Sequence, residues 1–356
     1  MPRARTQDLL HLSWQGMLSD YVTVLAWTPD DNRLAAGSAA GEVVLYNANT
    51  GTPTVLQPAW GQSVDALSIS PDGNFLAAAG QSGTIMIWQI GERSLRVISQ
   101  LTYPHAWLDR LQWNPKYPEL AFSFGRHVQV WDALSQTIVT TLNFENSSVL
   151  DLTWHPNGEL LTVSGNQNVK TWHRQNWDDD PTLRETGGAS EAITWSPDGI
   201  YLASGNNDRS LLVWESGNPY PWRMQGFPGK VRQLAWSTPA STRDRPILAS
   251  TSADGVVIWR REANSSIDWS ATVLEQHYGT VTAIAFQPGS RLLASASDDG
   301  WIFLWHQANR LAQRLQGVSK GFSALAWNHQ GTALITAGQQ GELLMWKQQM
   351  RGKGFR

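Results

Sequence analysis

The chain has 356 residues, a formal net charge of -3, 41% hydrophobic residues, 20 Trp, 30 Gly, 17 Pro and no Cys. That apolar content supports a large core and excludes wholesale disorder, while the missing cysteine excludes a disulfide scaffold, a thiolate zinc site, an iron–sulfur cluster and a cysteine nucleophile. The near-neutral charge argues against a protein that coats nucleic acid non-specifically, and no run approaches the 18 apolar residues of a membrane span.

Residues 1–8 form a basic tail with Arg3 and Arg5 and without the apolar core of a secretion signal, so a cytoplasmic location is expected. Leu9-Leu-His-Leu-Ser-Trp14 then reads as a strand. From there a unit recurs: an apolar residue and Trp, a Pro-Asp-Gly-like turn, Leu-Ala-Ser, a polar turn, and an apolar run ending in Trp. The first aromatic or apolar marker falls at Trp27, Ile69, Trp113, Trp154, Trp195, Trp236, Phe286 and Trp327. The terminal marker falls at Tyr46, Trp88, Trp131, Trp172, Trp214, Trp259, Trp305 and Trp346. The two series take up 13 of the 20 Trp. Runs such as Val43-Val-Leu-Tyr46 and Ile85-Met-Ile-Trp88 are short and β-branched, as strands require, and the Asp-Gly and Asn-Gly pieces between them are turn chemistry. Three clear strands per unit, and a weaker fourth after each terminal aromatic, make a four-stranded antiparallel sheet about every 43 residues.

In this the chain resembles the WD-repeat β-propeller family. Repeat seven carries the resemblance best. His277, Ser295, Asp299 and Trp305 stand where the family places its hydrogen-bonded His–Ser–Asp–Trp set, and the other repeats are degenerate at those positions. The implied fold is all-β, an eight-bladed propeller of four-stranded antiparallel blades; seven closed blades with one divergent motif outside the ring is the alternative. Residues 9–347 then form one domain, and 348–356 a basic tail. After Trp346 the chain is too short and polar for a fourth strand, so the N-terminal strand is expected to complete the last blade and remove an open sheet edge.

No catalytic constellation, metal-binding His spacing or phosphate-cradling loop occurs, so no catalytic residue, metal or cofactor is expected. His277 and Asp299 read as a structural pin. Asp178-Asp-Asp180 lacks the alternation and Gly of a calcium loop and reads as a solvated turn.

The family resemblance implies docking on the face carrying the loops that enter each innermost strand. Aligned on that basis, repeat three presents Trp107, Asp109 and Phe124, with Leu150 on the next repeat and Tyr21 two repeats away, while repeat six presents Lys230 and Arg232. Aromatics and Arg dominate interface energetics. The expected function is therefore a non-catalytic protein–protein interaction scaffold or assembly factor, monomeric by itself. Its partner would be a protein or peptide with an apolar anchor over repeat three and an acidic group over repeat six. Of the seven off-pattern Trp, only Trp107 falls at a docking position. Two other readings stand behind this one. The closure region gathers Arg3, Arg5, Lys347, Arg351, Lys353 and Arg356 near Arg310, Arg314 and Lys320, a basic cluster able to meet RNA. A propeller enzyme with an unrecognised site is the third reading.

Overall fold

The computed structural model describes residues 8–91, 95–239, 244–262 and 268–348. Every regular element among them is a β-strand, and all pairings are antiparallel, between chain neighbours in a meander except where the first strand pairs with the last. Repeat one shows the plan. Its strands Val22–Trp27, Arg33–Ser38, Val43–Asn47 and Pro53–Gln57 run from the innermost edge outward. The second and third strands are covered on both faces by neighbouring sheets, which is why they read as continuous apolar runs instead of alternating; Tyr201–Asn206, for instance, is buried at every position. The outermost strands, such as Arg96–Thr102, are mostly exposed.

By hydrogen bonding the strands form six four-stranded sheets and one seven-stranded sheet. The seven-stranded one arises where a single long strand, Thr182–Trp195, is shared. Its first half is the outer strand of repeat four, pairing Arg184 with Val169. Its second half is the inner strand of repeat five, pairing Thr194 with Ala203. Counted by inner strands, the described chain has eight units. Their inner strands pack one against the next in chain order, and Phe322–Trp327 of the last packs against Val22–Trp27 of the first. We number the blades by these repeats.

The ring closes as a shared blade. Leu10–Met17 pairs with Glu342–Gln348, setting Leu12 against Trp346 and Gly16 against Leu343. The inner-strand tryptophans tie the blades together. The Trp113 indole N–H donates to Ser68 O (3.2 Å), Trp154 to Gln112 O (3.1 Å), Trp236 to Thr194 O (3.4 Å) and Trp327 to Ala285 O (3.3 Å). Trp27 completes the series by reaching Ala326 O of the last blade at 3.2 Å. Trp195 turns instead to the Thr162 hydroxyl of the preceding blade at 3.0 Å, and Ile69 and Phe286, the two markers that are not Trp, have no such donor.

Candidate docking face

The inner strands begin on one face with a common irregularity. The register shifts by one residue between Val22 and Val24, Val64 and Ala66, Ser190 and Ala192, Val281 and Ala283, and Phe322 and Ala324. The extra residue of such a bulge is re-aimed out of the strand's alternation. It is Thr23, Asp65, Glu191, Thr282 or Ser323, and its chemistry decides what happens next. The hydroxyls turn inward: Thr23 donates to Val64 O of the following blade, Thr282 to Phe322 O at 2.9 Å, and Ser323 to Ala337 O at 3.3 Å. The two threonines weld neighbouring blades, Ser323 bonds within its own blade, and all three present little to a partner. The carboxylates stay on the face, and each receives a side chain from the next blade. Asp65 Oδ2 accepts the Trp107 indole N–H at 2.7 Å, and Glu191 Oε1 accepts from Lys230 Nζ at 2.7 Å.

Trp107 therefore does not fold back on its own blade. It leans over blade two, 58% exposed, with its polar edge fixed by Asp65. Ser63 donates to the other Asp65 oxygen at 2.5 Å. Phe124 is half-buried, stacked on Tyr103 (4.7 Å between centroids) and on His127 (5.3 Å). Asp109 Oδ2 lies 3.2 Å from Arg110 Nη1. Arg110 continues inward to Asp151, 3.4 Å away, and Asp151 accepts the Ile193 N–H of the next blade at 2.9 Å. Burial pushes the Asp151 carboxyl above the ordinary range, against the pull of Arg110 and of the amides it accepts. Leu150 is partly buried beside this chain, its N–H paired to Ser164 O. Tyr21 is half-buried, and desolvation, with the Asp298 charge, raises its phenol.

Repeat six departs from the sequence expectation. Lys230 and Arg232 are not a free cationic pair: both turn to Glu191, at 2.7 Å and 3.9 Å, so one carboxylate already neutralises half of their charge. Of the basic closure cluster only Lys347 belongs to the described residues, and its Nζ donates to Asn49 Oδ1 at 3.0 Å; Arg3, Arg5, Arg351, Lys353 and Arg356 lie outside them.

The set in repeat seven forms one chain of hydrogen bonds. Trp305 Nε1–H donates to Ser295 Oγ (2.9 Å), Ser295 Oγ lies 2.8 Å from His277 Nε2, and His277 Nδ1 lies 3.0 Å from Asp299 Oδ2. With Trp305 donating to Ser295, the hydroxyl proton is free to go to Nε2, and the imidazole donates once, to Asp299. That arrangement needs a neutral ring. Burial lowers the His277 pKa accordingly, with Asp299 opposing. Among the described residues no group of three or more His, Asp or Glu is placed to hold a metal ion, and no helix is long and apolar enough to cross a membrane.

One residue escaped sequence reasoning. Trp60, in the loop entering blade two, is 53% exposed. Its indole lies on Gly41, where any Cβ would come within 2.5 Å of Cδ1; that glycine also has φ +90°. The signal was available, since Trp60 is four residues before Val64 just as His277 is four before Val281, but reading it needs the slot of repeat seven as a template.

The family model for the WD domain, G-beta repeat, matches residues 11–47, 54–89, 136–173, 186–215 and 269–306, just over half of the chain. The chain belongs to the WD-repeat family. The first matched segment runs through four strands, from the outer strand of blade eight to the third strand of blade one, so this WD-repeat protein closes its ring with a repeat that straddles two blades. Among curated proteins it is similar to Protein CIA1 of Arabidopsis thaliana, 39% identical over 87 residues (23% of this chain, 25% of that protein). It is also similar to the pre-mRNA-splicing factor cwf17 of Schizosaccharomyces pombe, 27% over 149 residues (41% and 42%), and to the human Protein SEC13 homolog, 27% over 146 residues (39% and 43%). The chain thus spans less than half the length of each of these relatives.

Proposed function

We propose that this protein is a non-catalytic interaction scaffold or assembly factor that holds a partner protein on its loop face, over blades one to three. The observation that carries the reading is the pair of exposed tryptophans, Trp60 and Trp107, on that one face. The chain buries or half-buries its other tryptophans as blade packing, and a large aromatic left in water is costly unless something covers it. Trp107 is also held in place by Asp65, so little side-chain freedom is lost on binding. The WD-repeat relatives support a scaffold in kind. The pairing of Lys230 and Arg232 with Glu191 moves the weight of the proposal away from an acidic group over blade six, because a partner carboxylate there would only replace one already in place.

The test is recovery of partners from the native cell with tagged protein. A partner held stoichiometrically by wild type should be lost with Trp107→Ala. It should be kept with Leu134→Ala, an exposed residue on the turn after Asp132 at the opposite face. Equal recovery by all three proteins removes the loop face from consideration.

A further inference from the structure

Blade two has an empty slot where blade seven has a histidine. In blade seven the slot is built from three positions: His277, four residues before the first buried residue of the inner strand; Ser295, two after the residue that pairs with the terminal Trp305; and Asp299. In blade two Leu76 pairs with Trp88, so the matching residues are Trp60, Ala78 and Ser82. All three line a single cavity of about 310 Å³, together with Val64, Met86 and Gln100. His277 is 6% exposed and fills its slot. In blade six Phe227 does the same, its ring 5.8 Å from that of Trp259. Trp60 instead stands at the mouth, and the small Ala78 and Ser82 leave the space behind it open.

The surroundings define what fits. The slot holds one aromatic ring in each of two other blades, His277 in blade seven and Phe227 in blade six. Its rim is acidic: Ser63 lines the cavity and bonds Asp65, whose carboxylate also holds Trp107. Asp20 lies on the same face, in the loop entering blade one. Of the six carboxylates between Met17 and Gly91, Asp20, Glu42 and Asp65 lie on this face, and the one Lys, Arg or His of that stretch, Arg33, sits with Asp30, Asp31 and Asp72 at the turns on the other face. Among the described residues no cation pairs with Asp65. We infer that blade two is the anchoring site for a partner segment that inserts one aromatic side chain into this slot and sets an adjacent lysine or arginine against Asp65, beside the Trp107 indole that this carboxylate holds, where ring and carboxylate attract a cation together.

The inference rests on the scaffold reading but is tested apart from it. The full chain is labelled with 5-fluorotryptophan, and the Trp60 and Trp107 resonances are assigned by Trp60→Phe and Trp107→Phe. It is then titrated with N-acetyl-Phe-Lys-amide, N-acetyl-Phe-Glu-amide and N-acetyl-Ala-Lys-amide up to ~10 mM, a range that detects contacts worth only a few kcal/mol. The Phe-Lys probe should move both resonances, with the other two at least about fivefold weaker. Asp65→Asn, whose remaining fluorine signals report an intact ring, should bring Phe-Lys down to the level of Phe-Glu. No movement of either resonance overturns the inference, as does an equal response to Phe-Lys and Phe-Glu. A Trp60 shift that follows protein concentration alone also overturns it, since a second copy would then be the occupant. If the probes fail while partner recovery still depends on Trp107, the blade-two site falls and the scaffold stands; if the probes bind while recovery ignores Trp107, the reverse holds.

Discussion

At the residue scale, Ser295 is the hub of blade seven. It accepts from Trp305 and faces His277, and both contacts are buried. Where another blade lacks the hydroxyl, its terminal Trp must do without it. Blades six and eight keep it, as Ser250 and Thr336, each 3.0 Å from its indole nitrogen. Blade three has Phe122 at that position, and the Trp131 Nε1 there is buried with no partner. Neutrality of His277 has a consequence for pH. Burial holds its folded pKa below the ordinary 6.5. Between that lowered value and 6.5 the unfolded chain binds a proton that the folded one does not, so stability is full above about pH 6.5 and falls as the pH drops through this window. The loss approaches about 1.4 kcal/mol per pH unit at most. Comparing urea unfolding of wild type and His277→Gln at about pH 7 and pH 5 checks this. The variant should be the less stable at neutral pH and should show the shallower decline; parallel declines would mean that another group carries the dependence.

At the element scale, much of the plan was written in the sequence and some of it could not be. The two tryptophan series marked the first and third strands because these strands end on aromatics that pack between blades, Trp27 and Tyr46 in blade one, both buried. The weak fourth strands were harder: sequences such as Thr137–Asn143 are mostly exposed and carry no strong pattern. Fusion of the outer strand of blade four with the inner strand of blade five depends on the register around Gly187 and Gly188, not on composition. The bulges were equally hidden, so the inward turn of Thr23 and Thr282 and the role of Asp65 and Glu191 as holders of the neighbouring blade went unseen. The slot near the start of each inner strand gives a direct comparison of elements. Phe227 fills it in blade six and is 6% exposed, so Phe227→Ala leaves a cavity and should cost about 3 kcal/mol. Trp60, at the equivalent position of blade two, lies outside its slot, and Trp60→Ala should cost no more than about 0.5 kcal/mol. Chemical denaturation of the two variants measures both. Comparable losses would mean that Trp60 packs like Phe227 and that blade two has no vacancy.

At the scale of the whole molecule, the ring stands or falls at the seam between blades eight and one. Elsewhere a residue following the inner-strand marker reaches the turn glycine of the next blade: Asn114 to Gly158 O at 2.8 Å, His155 to Gly199 O at 3.1 Å, Gln287 to Gly331 O at 2.6 Å. Gly73, Gly158, Gly199 and Gly331 all take positive φ, from 68° to 79°. In blade one the same turn position is Asp31, at φ 59°, a conformation that costs a non-glycine residue on the order of 1 kcal/mol. The compensation is across the seam. The Asp31 side chain, 7% exposed, accepts from Asn328 Nδ2, from the His329 and Gln330 N–H groups and from His329 Nδ1, all within 3.0 Å and nearly 300 residues away in sequence. Carboxylate-to-amide bonds of this kind are the stronger class. Asp31→Gly relaxes the backbone and removes every one of them, so relief and loss oppose each other. The loss should win by about 1 kcal/mol, since the buried Asn328 amide loses its charged acceptor while the exposed His329 and Gln330 donors can turn to water. The location of the damage is more telling than its size. Hydrogen exchange in the variant should quicken along Val22–Trp27 and Phe322–Trp327, the inner strands on either side of the seam, while Asp151–Trp154 in blade four stays as protected as in wild type. Uniform quickening around the ring would mean that the seam has no special weakness, and unchanged exchange would mean that the pairing of Leu10–Met17 with Glu342–Gln348 and the Trp27 bond close the ring without Asp31.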